Sequence, residues 1–350
     1  MISRPYFSII IPVYNGGEQF ERCLEAVQQS TWLDWELIVV DDGSSDGSDL
    51  IASQFKAHLF RTAGRRGPAT ARNIGAQFAR GTYLFFTDAD CRLQPDTLAR
   101  AARYLEADPD LDALFGSYDD APVAPDFIAQ YKNLFHHYVH QHSHERAATF
   151  WTGCGAVNRA VFLKLGGFDS VRYKRPSIED IDFGHRLTRT GGRIRLAKDV
   201  QVTHLKAWSL VSLLKSDILD RGLPWTRLLL RNRAFVSDLN LQTHNRASVL
   251  ALYGSLFSLF ASFWHPSAIW LASGLVILLL GLNQSLYRFF YRQRGLLFVL
   301  KAIPIHWLYY FYNALAFSCG LGFHWLEQFR SGAVPAPKPL VDRTKADGPG

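Results

Sequence analysis

Up to residue 90 the chain alternates short, β-branched apolar runs with helix-patterned stretches, and this order constrains the fold most. SIIIPVY (8–14) reads as a strand, EQFERCLEAVQQS (18–30) as a helix and WELIVVDD (35–42) as a second strand. A helix over 48–55, a short strand over 58–62 and a helix over 68–80 lead to the strand TYLFFTDAD (82–90). Strands this continuously apolar are buried on both faces, and their alternation with helices predicts an open α/β sheet. In such sheets ligands bind outside the carboxyl ends of the strands, where the strand order reverses.

Acidic residues stand at those ends. Asp41 and Asp42 close the second strand, and Asp88 and Asp90 close the strand over 82–90. Four carboxylates on neighbouring strand ends repel one another unless a cation or hydrogen-bond donors lie between them. Asp88-Ala89-Asp90 sets two carboxylates on one side of an extended chain. Hard oxygen ligands with room for water and phosphate suit Mg²⁺ or Mn²⁺. A DxD by itself also fits a solvated loop.

The second half changes character at Arg246. From Ala247 to Tyr287 there is no Lys, Arg, Asp or Glu over 41 residues, enough for a hairpin of two membrane spans. His265-Pro266-Ser267 marks its turn. Arg288, Arg292, Arg294 and Lys301 follow, and Ala302 to Leu326 is again free of charge, beginning near Pro304. The expected spans are 247–264, 267–285 and 302–326, after a juxtamembrane linker over 236–246. Buried core helices are the competing reading. The positive-inside rule places a cytosolic catalytic half, a hairpin crossing out and back, and the arginine cluster in the cytosol. A third span leaves the basic tail outside, which a re-entrant or interfacial last helix would avoid. The Pro/Gly-rich stretch over 327–350 is expected to be disordered.

A chain of 350 residues allows two or three domains. With 48% hydrophobic and 20% charged residues it is neither disordered nor fibrous. Its mean hydropathy of −0.03 averages a polar and an apolar half. The net charge of +7 fits a phosphorylated substrate or anionic lipid. Nucleic acid is not expected, because the positive charge gathers beside the apolar segments. Four cysteines with no CxxC pair give no disulfide framework or thiolate zinc site. The opening MISRPYFSIIIPVYNGG has too short an apolar run for a signal peptide and is expected to form the first strand. IPVYNGGEQF lacks the GxGxxG of a dinucleotide-binding oxidoreductase.

SIIIPVYN, ELIVVDDGSSDGS, GPATARNIGAQFARGTYLFFTDAD, TGCGAVNRAVFLKLGGFD (152–169) and the IED of 178–180 occur in this order. Over about residues 6–235 the chain resembles the family 2 glycosyltransferases. The resemblance implies a GT-A fold, with a Rossmann-like nucleotide-sugar half (1–115) and an acceptor half (116–235). It also implies inverting transfer of a sugar from a UDP- or GDP-sugar. Pro12 and Tyr14 would then shape the nucleotide pocket. Asp42, with Asp41 beside it, would accept a hydrogen bond from the base. Arg72 and Asn73 would face the base or diphosphate, where a helix N-terminus favours phosphate. Asp90 would ligate the metal, Asp88 the ribose or the metal's water shell, and His204 would complete the site. Asp180 would be the base that deprotonates the acceptor hydroxyl, with Glu179 orienting the site. Arg221 and Trp225 would border the acceptor mouth, although an amphipathic interfacial helix accounts for them too.

The leading expectation is a multi-pass enzyme of the inner or plasma membrane, its catalytic domain cytosolic and its acceptor lipid-linked or membrane-associated. Transfer to a polyprenyl phosphate, which needs no base, and a catalytically silent scaffold are the alternatives.

Overall fold

The structure, a computed structural model, describes residues 4–232 and 243–330. Most of the expected linker over 236–246, and the expected tail from 331 onward, lie outside the described residues. Strands Phe7–Val13 (β1), Trp35–Asp41 (β2), His58–Arg61 (β3) and Tyr83–Thr87 (β4) are joined by helices Gly17–Gln28 (α1), Ser48–Gln54 (α2) and Pro68–Phe78 (α3). These strands pair in parallel, in the order β3-β2-β1-β4. The chain leaves β1 first towards β2 and later towards β4, so the reversal point lies at the carboxyl end of β1.

The sheet continues without a break into the next part of the chain. Cys91–Leu93 (β5), Thr97–Ala107 (α4), Ala113–Tyr118 (β6), Phe127–His142 (α5), Arg146–Ala147 (β7), Cys154–Asn158 (β8), Arg159–Lys164 (α6), Glu179–Arg189 (α7) and Ile194–His204 (β9) complete it. The nine strands run β3-β2-β1-β4-β8-β6-β9-β5, with β7 on β9. Strand β8 is antiparallel to β4 and β6, which makes the sheet mixed.

Alternation along β1 builds two cores. Ile9 and Ile11 pack with Phe20 and Leu24 of α1 and Leu98 of α4 on one face. Ile10 packs with Ala71 and Ala76 of α3 on the other. All three isoleucines are fully buried, each stabilising the fold by about 1.5–3 kcal/mol.

The remaining elements are Leu210–Lys215 (α8), a π-helical turn over Ser216–Gly222, Leu223–Asn232 (α9), Thr243–Ala261 (α10), Ala268–Leu282 (α11) and Gln284–Arg330 (α12). Helices α10 and α11 form a hairpin that turns at His265-Pro266-Ser267. Gly295, with φ of 78°, divides α12 into two helical segments. Among the described residues one helix, Gln284–Gly322, is long and apolar enough to cross a membrane. Helix α11, with 15 residues, spans only about 22 Å against a bilayer core of roughly 30 Å. Residues expected in the membrane portion also share a core with the acceptor half. Leu286, Tyr287, Phe290, Ala302 and Tyr312 pack with Tyr131, Leu134 and Phe135 of α5 and Leu213 of α8.

Candidate active site

A cavity of about 1440 Å³ opens at the carboxyl ends of β1, β2 and β4 and runs to α10 and α12. Pro12, Tyr14, Asp42, Arg72, Asp88, Asp90, Glu179, Asp180, His204, Arg221 and Trp225 all line it.

At the β2 end, Asp42 accepts from the backbone N–H groups of Arg66 (2.8 Å) and Gly67 (2.7 Å) and from the Thr62 hydroxyl (2.9 Å). This fixes the 62–67 loop over the nucleotide end. Gly67 has φ of 90°, and a Cβ there would lie 2.4 Å from the Lys174 carbonyl oxygen, so only glycine lets the two loops meet. Arg65 stacks over Tyr14 with its guanidinium 4.1 Å from the ring centre.

Two expected contacts are absent from the cavity. Asp41 does not line it; it is buried and accepts from the Ser44 N–H at 2.9 Å, closing the turn after β2. Consecutive residues of an extended chain point to opposite faces, so Asp41 and Asp42 cannot both serve one site. Asn73 does not line it either. Its amide donates to Phe168 O (2.8 Å) and accepts from Phe168 N (2.9 Å), pinning α3 to the 166–168 turn. One residue along a helix is a rotation of about 100°, so Arg72 faces the cavity and Asn73 does not.

Arg72 bridges the two acidic groups. Its guanidinium lies 2.5 Å from Asp88 Oδ1 and 2.8 Å from Glu179 Oε1. Burial opposes its charge, but Asp88 and Glu179 outweigh burial and raise its pKa. Strand β4 ends at Thr87, one turn earlier than expected, because Cys91 N–H donates to Asp88 O at 3.0 Å. The turn brings ligand atoms of Asp88, Asp90 and Cys91 within 4.8 Å of one another. Burial drives the Cys91 thiol well above its ordinary value, so the donors here are the carboxylates. Burial would raise Asp90 as well, but His204 and Lys206 prevail and hold it down to about 2.

His204 Nε2 lies 3.5 Å from Asp90 Oδ2. Its Nδ1 lies 2.6 Å from the Asn133 side-chain oxygen, an acceptor that keeps the proton on Nδ1 and leaves Nε2 on the carboxylate side. Two carboxylates and an oriented imidazole around open space fit a divalent cation of the Mg²⁺ or Mn²⁺ type. Sequence reasoning missed Asn133, whose place in an aromatic helix gave no signal.

Asp180, at the start of α7, accepts from Thr152 N–H at 3.1 Å and from Ile181 N–H at 2.8 Å. Burial, and then Glu179 beside it, raise its pKa to about 6 against Arg72 and these N–H groups. A half-buried carboxylate poised near neutrality is suited to taking a proton. Glu179 is turned towards Arg72 and Ser177 N–H (3.0 Å).

At the far end Arg221 and Trp225 stand on the π-helical turn and α9. Lys132 and Asp217, which the sequence did not single out, form a buried ion pair at 2.6 Å, and the Tyr312 hydroxyl donates to the other Asp217 oxygen at 2.6 Å. The histidine-rich helix contributes His136, whose ring is parallel to that of Tyr118, and Tyr118 in turn stacks on His204.

Residues 8–166 match the glycosyl transferase family 2 description. The chain is 36% identical over 117 residues to an uncharacterized glycosyltransferase, YibD, of Escherichia coli (strain K12), covering 32% of this chain and 33% of that protein. It is 36% identical over 121 residues to a PGL/p-HBAD biosynthesis glycosyltransferase of Mycobacterium tuberculosis, covering 33% and 47%. The chain therefore spans about a third of the length of the first curated relatives it matches. Among solved structures, the mannosyltransferase PcManGT from Pyrobaculum calidifontis, in complex with GDP-Man and Mn²⁺, shares the fold. Its TM-score is 0.61 at 21% identity, over 90% of this chain and 88% of that one. The family match and the curated relatives support a glycosyltransferase of family 2, on a mixed α/β sheet of the GT-A kind.

Proposed function

We propose that the protein transfers a sugar, with inversion, from a nucleotide-diphosphate sugar to a hydroxyl of a lipid-linked or membrane-associated acceptor. The observation that carries this reading is the shared cavity in which Arg72 links Asp88, on the donor side, to Glu179, next to Asp180. Asp42, Pro12 and Tyr14 bind the nucleotide. Asp88 and Asp90, with His204 beside them, would hold Mg²⁺ or Mn²⁺, which supplies charge neutralisation for the diphosphate that leaves. Asp180 takes the acceptor proton, and Glu179 keeps Arg72 in place. The neighbour's complex with GDP-Man and Mn²⁺ is in keeping with such a donor site.

Membrane attachment rests on the hairpin and on α12. Phe263 (82% exposed) and Trp270 (78%) stand with Phe257, Phe260 and Trp264 on the surface of α10, α11 and their turn. Apolar patches of this extent mark contact with a membrane or partner. The α10–α11 hairpin and α12 are the parts of a multi-pass anchor in the plasma or inner membrane, with the sheet domain in the cytosol.

A thermal-shift panel of UDP- and GDP-sugars with Mn²⁺ tests the donor half of this reading. A ligand at 100 times its Kd stabilises by about 2.7 kcal/mol. Stabilisation by one donor, dependent on Mn²⁺ and absent in Asp90→Ala, is the expected result. Folded protein that responds to no donor would overturn the reading.

A further inference from the structure

The cavity's far end has more positive charge than its own acids neutralise. Lys132, 3% exposed, and Arg221 both act on Asp217, whose second oxygen is taken by Tyr312. Arg221's hydrogen-bond partner is His136 Nε2, at 3.3 Å. Burial, with Lys132 and Arg221 nearby, holds His136 far below the ordinary imidazole value, so the ring is neutral and accepts this bond. Lys215 and Arg246 line the same end and have no acidic partner among the described residues. Asp220 is the other acid there, which leaves two cations in excess. Trp208, nine-tenths buried, also lines the cavity, with an indole N–H that meets no acceptor among the described residues.

Beyond these charges the wall turns apolar. Val249 and Leu250 of α10 face the same space as Tyr309, Ala314 and Phe317 of α12. Helix α12 approaches closely, since a Cβ on Gly222 would lie 3.0 Å from the Ala316 Cβ. A half-buried excess of positive charge is costly unless an anion meets it. The donor diphosphate belongs at Asp88 and Asp90, and does not account for cations at the opposite end.

We propose that this end of the cavity binds the phosphate group of a lipid acceptor, with Arg221 and Lys132 on the anion and the lipid chain between α10 and α12. The proposal rests on the acceptor side of the function proposed above and names its chemistry. Its source is either a lipid phosphate that itself receives the sugar or the diphosphate of a lipid-linked sugar.

The test uses the full chain in detergent, with farnesyl phosphate, farnesyl diphosphate and farnesol as probes, read by tryptophan fluorescence. The phosphorylated lipids should bind about tenfold tighter than farnesol, and Arg221→Gln should remove about that factor. Tighter binding of the monophosphate assigns the site to a phosphate acceptor, and tighter binding of the diphosphate to a lipid-linked sugar; both support it. Lys132→Met should act alike; should it fail to fold, Arg221→Gln alone decides, its retained Mn²⁺-dependent binding of a nucleotide sugar reporting a folded protein. Equal binding of farnesol, or an Arg221→Gln protein with unchanged affinity for the phosphorylated lipids, would overturn the proposal. So would Mn²⁺-dependent displacement of farnesyl diphosphate by inorganic pyrophosphate, which places the anion at Asp88 and Asp90. Arg221-dependent lipid binding in a protein that binds no nucleotide sugar would sink the donor reading and leave this site standing.

Discussion

The donor and acceptor ends of the cavity are built differently. The donor end is the edge of a parallel sheet, where each strand delivers its next residue to one place. Strand β2 delivers Asp42 and β4 delivers Asp88. The acceptor end is assembled from α5, the π-helical turn, α10 and α12, elements separated by as much as 180 residues. A sheet edge converts local sequence into position, whereas a helical wall depends on which helix packs on which. The first is rigid through its hydrogen-bonded ladder, and the second through single buried contacts such as Asp217 with Lys132 and Tyr312.

Four substitutions sharpen or break that contrast. Asp180→Asn should lower kcat by about 10²–10⁴-fold with nucleotide-sugar binding unchanged. The wild-type rate should fall as pH drops through about 6, because a carboxyl raised to that value stops accepting protons below it. A limb near 4 would deny Asp180 the role. Arg72→Ala leaves Glu179 buried without its cation, and should cost about 3–5 kcal/mol in thermal unfolding. A cost under 1 kcal/mol would show the bridge to be dispensable.

Asp90→Ala should erase the Mn²⁺-dependent donor stabilisation, about 2.7 kcal/mol at 100 times Kd, while leaving lipid-phosphate binding intact. Loss of both would make the two ends one site. Tyr312→Phe removes a hydrogen bond to a charged group, worth about 1.5–3 kcal/mol. Its effect should fall on the acceptor KM rather than on donor binding, and the opposite split would undo the distinction drawn here.

The same contrast explains what could be read from sequence. Strand order, the reversal at β1 and the grouping of Asp42, Asp88 and Asp90 follow from apolar runs that end in acids. Asp41 and Asn73 were expected beside Asp42 and Arg72 because they adjoin them in the chain, but strand alternation and helical rotation turn them away. Asn133 and Lys132 lie in a helix that reads as aromatic core, and their roles appear only once α5 packs under β9 and the π-helical turn. The charge-free runs were legible as apolar helices. Their lengths were not, since Gly295 and the turn at 265–267 divide them by backbone conformation. That residues near Tyr312 wedge into the acceptor half has no local signature at all.

One small feature sets the scale of the whole cavity. The rings of His204, Tyr118 and His136 lie nearly parallel in a row, with centres 4.5 Å and then 5.9 Å apart. They come from β9, β6 and α5, so no single element can shift one ring without meeting another. His204 touches Asp90 at one end of the row, and His136 touches Arg221 at the other. The row therefore works as a caliper whose jaws are a carboxylate and a guanidinium. Flattening it, as Tyr118→Ala would, leaves both jaws chemically intact but no longer a fixed distance apart, and an acceptor would be measured less strictly.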